Sequence, residues 1–274
     1  MTNEIEIITF QEVKSNDKDV TEVMYDKFLK ELKEKYPNME VLSEDCDEEF
    51  DEKKNGGTTF YSKILEMKLN FETFTDYIKY CMEQGADLEV MKPSKITVNS
   101  KEFGELLIYI LDFFNKIQAR YDISYTVSTK PEIENTIEEL KEGIYDEDDK
   151  FDFLEDGYID AKFVLKGFGK SEEEVISNIV KTVSEDMYVN KVITQPMEFE
   201  SVNGVNIVKP EFSGLIAVEV FAKPFELIEF TYKYLPITVK FQEKNIELDI
   251  SEIQDIGNDL GGAVFELSHA AANM

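Results

Sequence analysis

The strongest constraint on this chain is that its back half repeats the apolar and charged pattern of its front half. Phe71, Glu72, Lys79 and Tyr80 recur as Phe225, Glu226, Lys233 and Tyr234, at an offset of 225 − 71 = 154. A second block recurs at 253 − 103 = 150. There Ile96 and Val98 match Ile246 and Leu248, and Glu102 matches Glu252. Phe103, Leu106, Ile110, Phe114 and Ile117 then match Ile253, Ile256, Leu260, Val264 and Leu267. Steps of three and four residues trace one face of a helix. The two offsets together predict that the second copy is four residues shorter near the equivalent of Cys81 to Asp87, where a helix-end loop would absorb the change. Any two amphipathic helices align on their stripes. Duplication is favoured because the order helix, short strand, second strand, long helix also recurs.

Each copy reads as one strand-and-helix unit. The first opens with a strand near residues 4 to 13, with Ile5, Ile7 and Thr9 on one face. Asp17 caps a helix whose apolar face is Val20, Val23, Met24, Phe28 and Leu32, and Pro37 stops it. A short strand, Met39 to Leu42, leads through an acidic loop to the turn signal Asn55-Gly56-Gly57. A strand near Thr58 to Leu69 follows, then a helix from Phe71 to Gln84 with Gly85 as its cap. Short strands near Leu88 to Met91 and Lys95 to Val98 precede a helix from Lys101 to about Arg120.

The second copy runs likewise. A strand near Tyr158 to Leu165 is followed by a helix capped by Ser171, with Val175, Ile176, Ile179, Val180 and Val183 on its apolar face. A hairpin turning at Asn203-Gly204 comes next, with Leu215 to Phe221 as the most hydrophobic strand. A helix at Phe225 to Tyr234, two short strands and a terminal helix from Ser251 to about Ala271 complete the copy. The first six elements of each copy resemble the ferredoxin-like β-α-β-β-α-β order. The expected fold class is therefore α+β, a tandem duplication of that unit, each copy with an extra C-terminal amphipathic helix. The copies are 1–121 and 157–274, joined by an acidic linker, 122–156. That linker holds a short helix from Glu132 to Glu142 and the exposed charge run Asp146 to Asp149, and it is the expected site of proteolytic nicking.

Charge narrows the partners. The 58 acidic residues against 29 basic ones give a formal net charge of -29. Such a surface repels phosphate and anionic headgroups, which argues against nucleic acid and membrane as partners. Arg120 is the only arginine, which argues against guanidinium grips on phosphate. No apolar run reaches the length of a membrane span, and Glu4 and Glu6 stand where a secretory leader would be basic and apolar. With only Cys46 and Cys81, the chain reads as a cytoplasmic protein with free thiols.

Catalytic chemistry has little to stand on. His269 is the only histidine, close to the chain end, whereas most serine and cysteine nucleophiles need a histidine base. Cys46 sits among carboxylates that suppress a thiolate, and Cys81 reads as a packed small hydrophobe. Acidic clusters offer oxygen ligands, with Asp45, Asp47 and Glu48 in one and Asp146, Asp148 and Asp149 in the other. An EF-hand frame on Gly157 fails, because it puts Leu154 at a liganding position and Phe163 where a glutamate belongs. Weak divalent-cation binding is the most these clusters offer, and a solvated loop explains them more simply. Gly167-Phe168-Gly169-Lys170-Ser171 is too short for a phosphate loop. Gly257, Gly261 and Gly262 interrupt the terminal helix, which suggests close packing on the duplicate or on another subunit.

The expectation is a non-enzymatic binding or assembly protein, an intrachain pseudo-dimer without a cofactor, whose partner is a protein or a second copy. The alternatives are a small-molecule effector sensor using the interface between repeats, and a metal-dependent carboxylate enzyme.

Overall fold

The computed structural model describes residues 4–51, 57–85, 87–121, 135–198 and 211–272. Ten strands and eight helices lie among them, in a mixed α+β arrangement with antiparallel sheets. The front half contributes β1 (Ile5–Ser15), α1 (Lys18–Lys35), β2 (Glu40–Asp51), β3 (Thr58–Phe71), α2 (Phe74–Gln84), β4 (Asp87–Lys92), β5 (Lys95–Asn99) and α3 (Ser100–Tyr121). Then come α4 (Ile137–Glu142), α5 (Glu147–Glu155), β6 (Ile159–Gly169), α6 (Glu172–Val183), β7 (Tyr188–Pro196) and β8 (Phe212–Ala222). The chain closes with α7 (Pro224–Tyr234), β9 (Thr238–Phe241), β10 (Asn245–Asp249) and α8 (Ile250–Ala272). The Asn203-Gly204 turn and residues 52–56 and 122–134 lie outside the described residues.

The chain forms two compact units, and neither is contiguous in sequence. One holds Met1–Ile96 with Leu248–Met274; the other holds Thr97–Glu247. The sequence boundaries at 121 and 157 therefore differ from the spatial ones. The long helix α8 completes the first unit, and α3 completes the second. The chain changes unit inside β5 and again inside β10, which pair as a two-stranded ribbon. Its ends close within the units: the Ile250 N–H donates to the Ser94 carbonyl at 3.0 Å, and the Ser100 N–H to the Lys244 carbonyl at 2.9 Å.

In the first unit the sheet order is β2-β3-β1-β4, antiparallel throughout. Alternation sends Ile5, Ile7 and Thr9 to one face, opposite Phe71, Leu69 and Met67, and all six are buried. Asp17 caps α1, accepting the Val20 N–H at 3.1 Å. Leu32 is buried as the sequence reading has it, but the rest of the buried face of α1 is Thr21 and Tyr25, which corrects that reading. Of the five residues assigned to it from sequence, Val20, Val23 and Met24 are 46%, 69% and 48% exposed. The Tyr25 ring, not the valines, supplies the large apolar area that docks the helix.

The second unit repeats the order as β7-β8-β6-β9, again antiparallel. Ile159, Ala161 and Phe163 face inward opposite Ala222, Val220 and Val218. The segment read as a linker is structured where it is described. Both α4 and α5 belong to this unit, and Leu140 of α4 is fully buried. Phe153 of α5 stacks on Phe221, ring centroids 4.9 Å apart, covering one end of the sheet face that points away from α6 and α7. The Glu132 end of the expected helix lies outside the described residues.

The match between α2 and α7 also needs correcting. Gly85 and Leu235 both end their helices in the left-handed conformation, at φ 57° and 48°, so the offset is 235 − 85 = 150. The buried residues agree: Tyr77, Ile78, Tyr80, Cys81 and Met82 fall on Leu227, Ile228, Phe230, Thr231 and Tyr232. The Phe71 to Phe225 alignment was thus slipped by four residues, and no deletion follows α2. A four-residue slip is about one helical turn, so it leaves an apolar stripe nearly in register. The true length change lies upstream, because the caps Asp17 and Ser171 stand at 171 − 17 = 154.

Candidate functional site

The acidic residues singled out from sequence do not converge. Asp45, Asp47 and Glu48 lie in β2, a long edge strand reaching Asp51, not in a loop. Alternation puts Asp45 and Asp47 on one face and Glu48 on the other. Asp146 instead caps α5, its Oδ1 accepting the N–H groups of Asp148 at 2.9 Å and Asp149 at 3.0 Å. The Asp149 carboxylate returns the bond, accepting the Asp146 N–H at 3.1 Å. Among the described residues no group of three or more His, Cys, Asp or Glu could hold a metal ion.

The glycines of α8 divide. A β-carbon on Gly257 would lie 2.0 Å from Tyr77 Oη, and one on Gly261 would lie 3.4 Å from the Gly85 backbone. Both positions let α8 approach α2 closely. Gly262 has nothing within 4 Å and takes no part in this contact. The Tyr77 hydroxyl donates to the Ile253 carbonyl at 2.8 Å, and burial raises its pKa well above the usual value. Burial also pushes the Cys81 thiol up, so this fully buried cysteine is a packing group. Two amides of α8 serve β4. The Asn258 side chain accepts the Leu88 N–H at 3.0 Å and donates to the Leu88 carbonyl at 3.2 Å, while Gln254 accepts the Val90 N–H at 3.1 Å. Edge-strand backbone groups are thus satisfied by helix side chains. Sequence reasoning missed both, since an amide within an amphipathic pattern reads as surface. The side chain of His269 lies outside the described residues.

The second unit holds a polar cluster on the sheet face beside α5. Lys162 Nζ pairs with Glu219 Oε2 at 2.7 Å, and the Asn190 amide donates to Glu219 Oε1 at 2.6 Å. Burial alone would raise the Glu219 pKa, but these two donors outweigh it and hold it down. The Asn190 side-chain oxygen accepts the N–H groups of Ile144 and Tyr145 at 3.1 and 3.0 Å. Next to it, the Asp160 N–H donates to Glu243 Oε1 at 2.8 Å. Asp160 Oδ1 and Glu243 Oε2 are both buried without a hydrogen-bond partner among the described residues. Burial, then the charges of Glu219 and Glu243, push the Asp160 carboxyl up to about 6. The Asp160 carboxyl can therefore hold a proton a little below neutral pH.

Among the described residues, cavities away from that cluster lie in both units. In the first unit, about 360 Å³ opens between the end of α1 and the start of α2, where Lys35 pairs with Glu83 and Lys79 faces Asp76 at 4.0 Å. In the second, about 260 Å³ opens between β6, α6 and α7, with apolar walls of Leu165, Ile179, Val183 and Phe230. The glycine-rich stretch before α6 is no anion cradle. Ser171 accepts the Glu174 N–H, and the Glu174 carboxylate accepts the Lys170 N–H.

The profile of the MJ0538 family matches residues 6–274 of the chain. A protein of Methanocaldococcus jannaschii described as "Uncharacterized protein MJ0538" is 39% identical over 268 residues, covering 97% of this chain and 98% of its own. No solved structure matches. Among the described residues no helix is long and apolar enough to cross a membrane.

Proposed function

The chain belongs to the MJ0538 family, and from that premise we propose that it is a non-enzymatic binding or assembly protein. In this reading it is a tandem duplication of one ferredoxin-like unit, with an intrachain pseudo-dimer as the product. A cytoplasmic location and a protein partner with basic surface belong to the same proposal, given a net charge of -29. The observation that carries it is the exchange of long helices. α8 completes the unit built from the front of the chain, and α3 completes the other. Two separate copies trading their C-terminal helices would give the same composition, as in a domain-swapped dimer.

Cutting the chain between residues 121 and 135 tests the reading. Each fragment then lacks the long helix of its own compact unit. The two fragments are expected to assemble one to one by size-exclusion chromatography with light scattering, and each alone to expose apolar surface or pair with itself. Two stable, fully protected monomers would end the pseudo-dimer reading. Robust turnover in a hydrolase and transferase screen, abolished by Asp160→Asn, would end the non-enzymatic one.

A second reading, small-molecule binding, is favoured by the cavity of the second unit, and it does not depend on the helix exchange.

A further inference from the structure

We propose that the chain pairs with a second copy of itself through the two sheet faces its helices leave open, the face of the second unit in one copy lying on that of the first unit in the other. The proposal rests on the assembly reading and deepens it by naming the partner and both surfaces.

Both open faces keep an apolar strip. In the second unit Phe163 of β6 meets Phe230 of α7, so alternation turns Lys162, Val164, Lys166 and Phe168 the other way. Helix α5 covers this face at the Asp160 and Phe221 end. Beyond it, Phe168 is 65% exposed, and Ile193 of β7, in line with Val164, is 58% exposed. In the first unit Ile5, Ile7 and Thr9 turn inward, so Ile8, Phe10 and Glu12 turn out, and Phe10 is 45% exposed. A sheet face that meets only water alternates to polar side chains, and clustered exposed apolar ones mark a contact surface.

The charges beside the two strips are opposite. Lys166 stands where the first unit has Glu12, at 166 − 12 = 154. Lys240 lies across from Lys162 as Glu89 lies across from the matching Ile8. Lys191 lies across from Glu219 as Glu40 lies across from the matching Lys68. Other charges pair within their own face: Lys162 with Glu219, Lys14 with Glu49, and Lys68 and Lys92 with Glu6. Lys166 and Lys240 make no ion pair among the described residues, and neither do Glu12, Glu89, Asp45 and Asp47. The unspent charge is thus basic on one face and acidic on the other. A second copy satisfies both faces, whereas RNA would suit only the basic one, against a net charge of -29.

Area sets the expected strength. The sheet has four strands, and β6 and β8 are each 11 residues long. At about 3.3 Å per residue and 4.8 Å between strands, the face spans roughly 36 by 14 Å, about 500 Å². One contact then buries roughly 1,000 Å² over both copies, at the low end for a specific pair, so association is weak and reversible.

Sedimentation equilibrium of the full chain tests this. The wild-type mass is expected to rise between about 10 and 500 μM. Lys166→Glu with Lys240→Glu, and separately Asp45→Lys with Asp47→Lys, should each weaken association at least about tenfold. All four positions are exposed, and circular dichroism checks that both double variants stay folded. Each double variant keeps one native face, so an equimolar mixture should regain the association that both lack alone. Such rescue requires a contact between two different faces. A wild-type chain that stays monomeric overturns self-pairing and leaves the assembly reading with a foreign partner. Association that neither double variant weakens, or that mixing does not restore, overturns these faces. If the chain stays monomeric while an oligoglutamate or single-stranded RNA shifts the amide NMR signals of Lys166 and Lys240, the occupant is foreign and the second copy is wrong. Turnover in the screen above would end the underlying reading, whatever mass is measured.

Discussion

Glu6 of β1 and Asp160 of β6 occupy matching places, 160 − 6 = 154, yet their surroundings are inverted. In the first unit Lys68 and Lys92 reach Glu6 Oε2 at 3.0 and 3.2 Å. Burial would raise the Glu6 pKa, but the two lysines hold it below the usual value. In the second unit the position matching Lys68 is Glu219, at 219 − 68 = 151, and Gln242 stands for Lys92. The Asp160 carboxyl therefore rises while Glu6 falls. The exchanged helices differ in the same manner. Gly257 of α8 makes room for Tyr77, whereas at matching places α3 carries Leu107 and α7 carries Leu227, both buried. The second unit adds rings: Phe114 stacks on Tyr232 at 5.1 Å, and Phe103 meets Phe241 edge-on at 5.6 Å. A shared backbone plan fixes which positions are buried. It leaves open whether a large residue meets a small one or two middling ones meet, and which sign of charge is paired.

The largest effect should come from importing the leucine. Gly257→Leu forces a side chain into the Tyr77 ring and is expected to cost about 3 kcal/mol in urea unfolding. Adding Tyr77→Leu, which recreates the pairing of the second unit, should recover at least half of that; no recovery would show that the two interfaces are not equivalent. Asn258→Leu leaves the Leu88 N–H and carbonyl of β4 without their side-chain partner, at a cost of about 2 kcal/mol. Hydrogen exchange should quicken at β4 and not at β9, whose matching helix position is Ile108.

Asp160→Asn addresses the inverted carboxylate. A carboxyl whose folded pKa is raised to about 6 stabilises the fold only when protonated. That contribution is complete below its unfolded pKa and is lost as pH rises through 6. The substitution should therefore raise stability at pH 7.5 by about 1 kcal/mol, discounted for partial exposure, and by nearly nothing at pH 4. Glu6→Gln should behave in the opposite sense, losing stability at pH 7.5 and little at pH 3, as thermal scans across pH would show. The smallest effect belongs to the helix cap. Leu235 holds φ 48° where the first unit has Gly85, so Leu235→Gly should gain about 0.5 kcal/mol, while Gly85→Leu should lose at least as much.

Much of this was legible. The caps Asp17 and Ser171, the end of α2 at Gly85 and the long helices α3 and α8 follow from local rules, and all stand close to where those rules put them. The α1 face was misread in part, because Val20, Val23 and Met24 satisfy a helical period as well as Thr21 and Tyr25 do. The helix-borne amides Gln254 and Asn258, the orphaned oxygens of Asp160 and Glu243 and the cavity beside Ile179 left no local mark. Each depends on which distant segment arrives beside it.

Apart from α5, the order of strands and helices, and the alternation that selects the inner faces, were set by the sequence alone, since periodicity and capping act over a few residues. Which unit receives α3 and which receives α8 was decided only by the tertiary structure. An apolar stripe specifies that it must be covered, but burial is non-directional, and only side-chain shape distinguishes one cover from another.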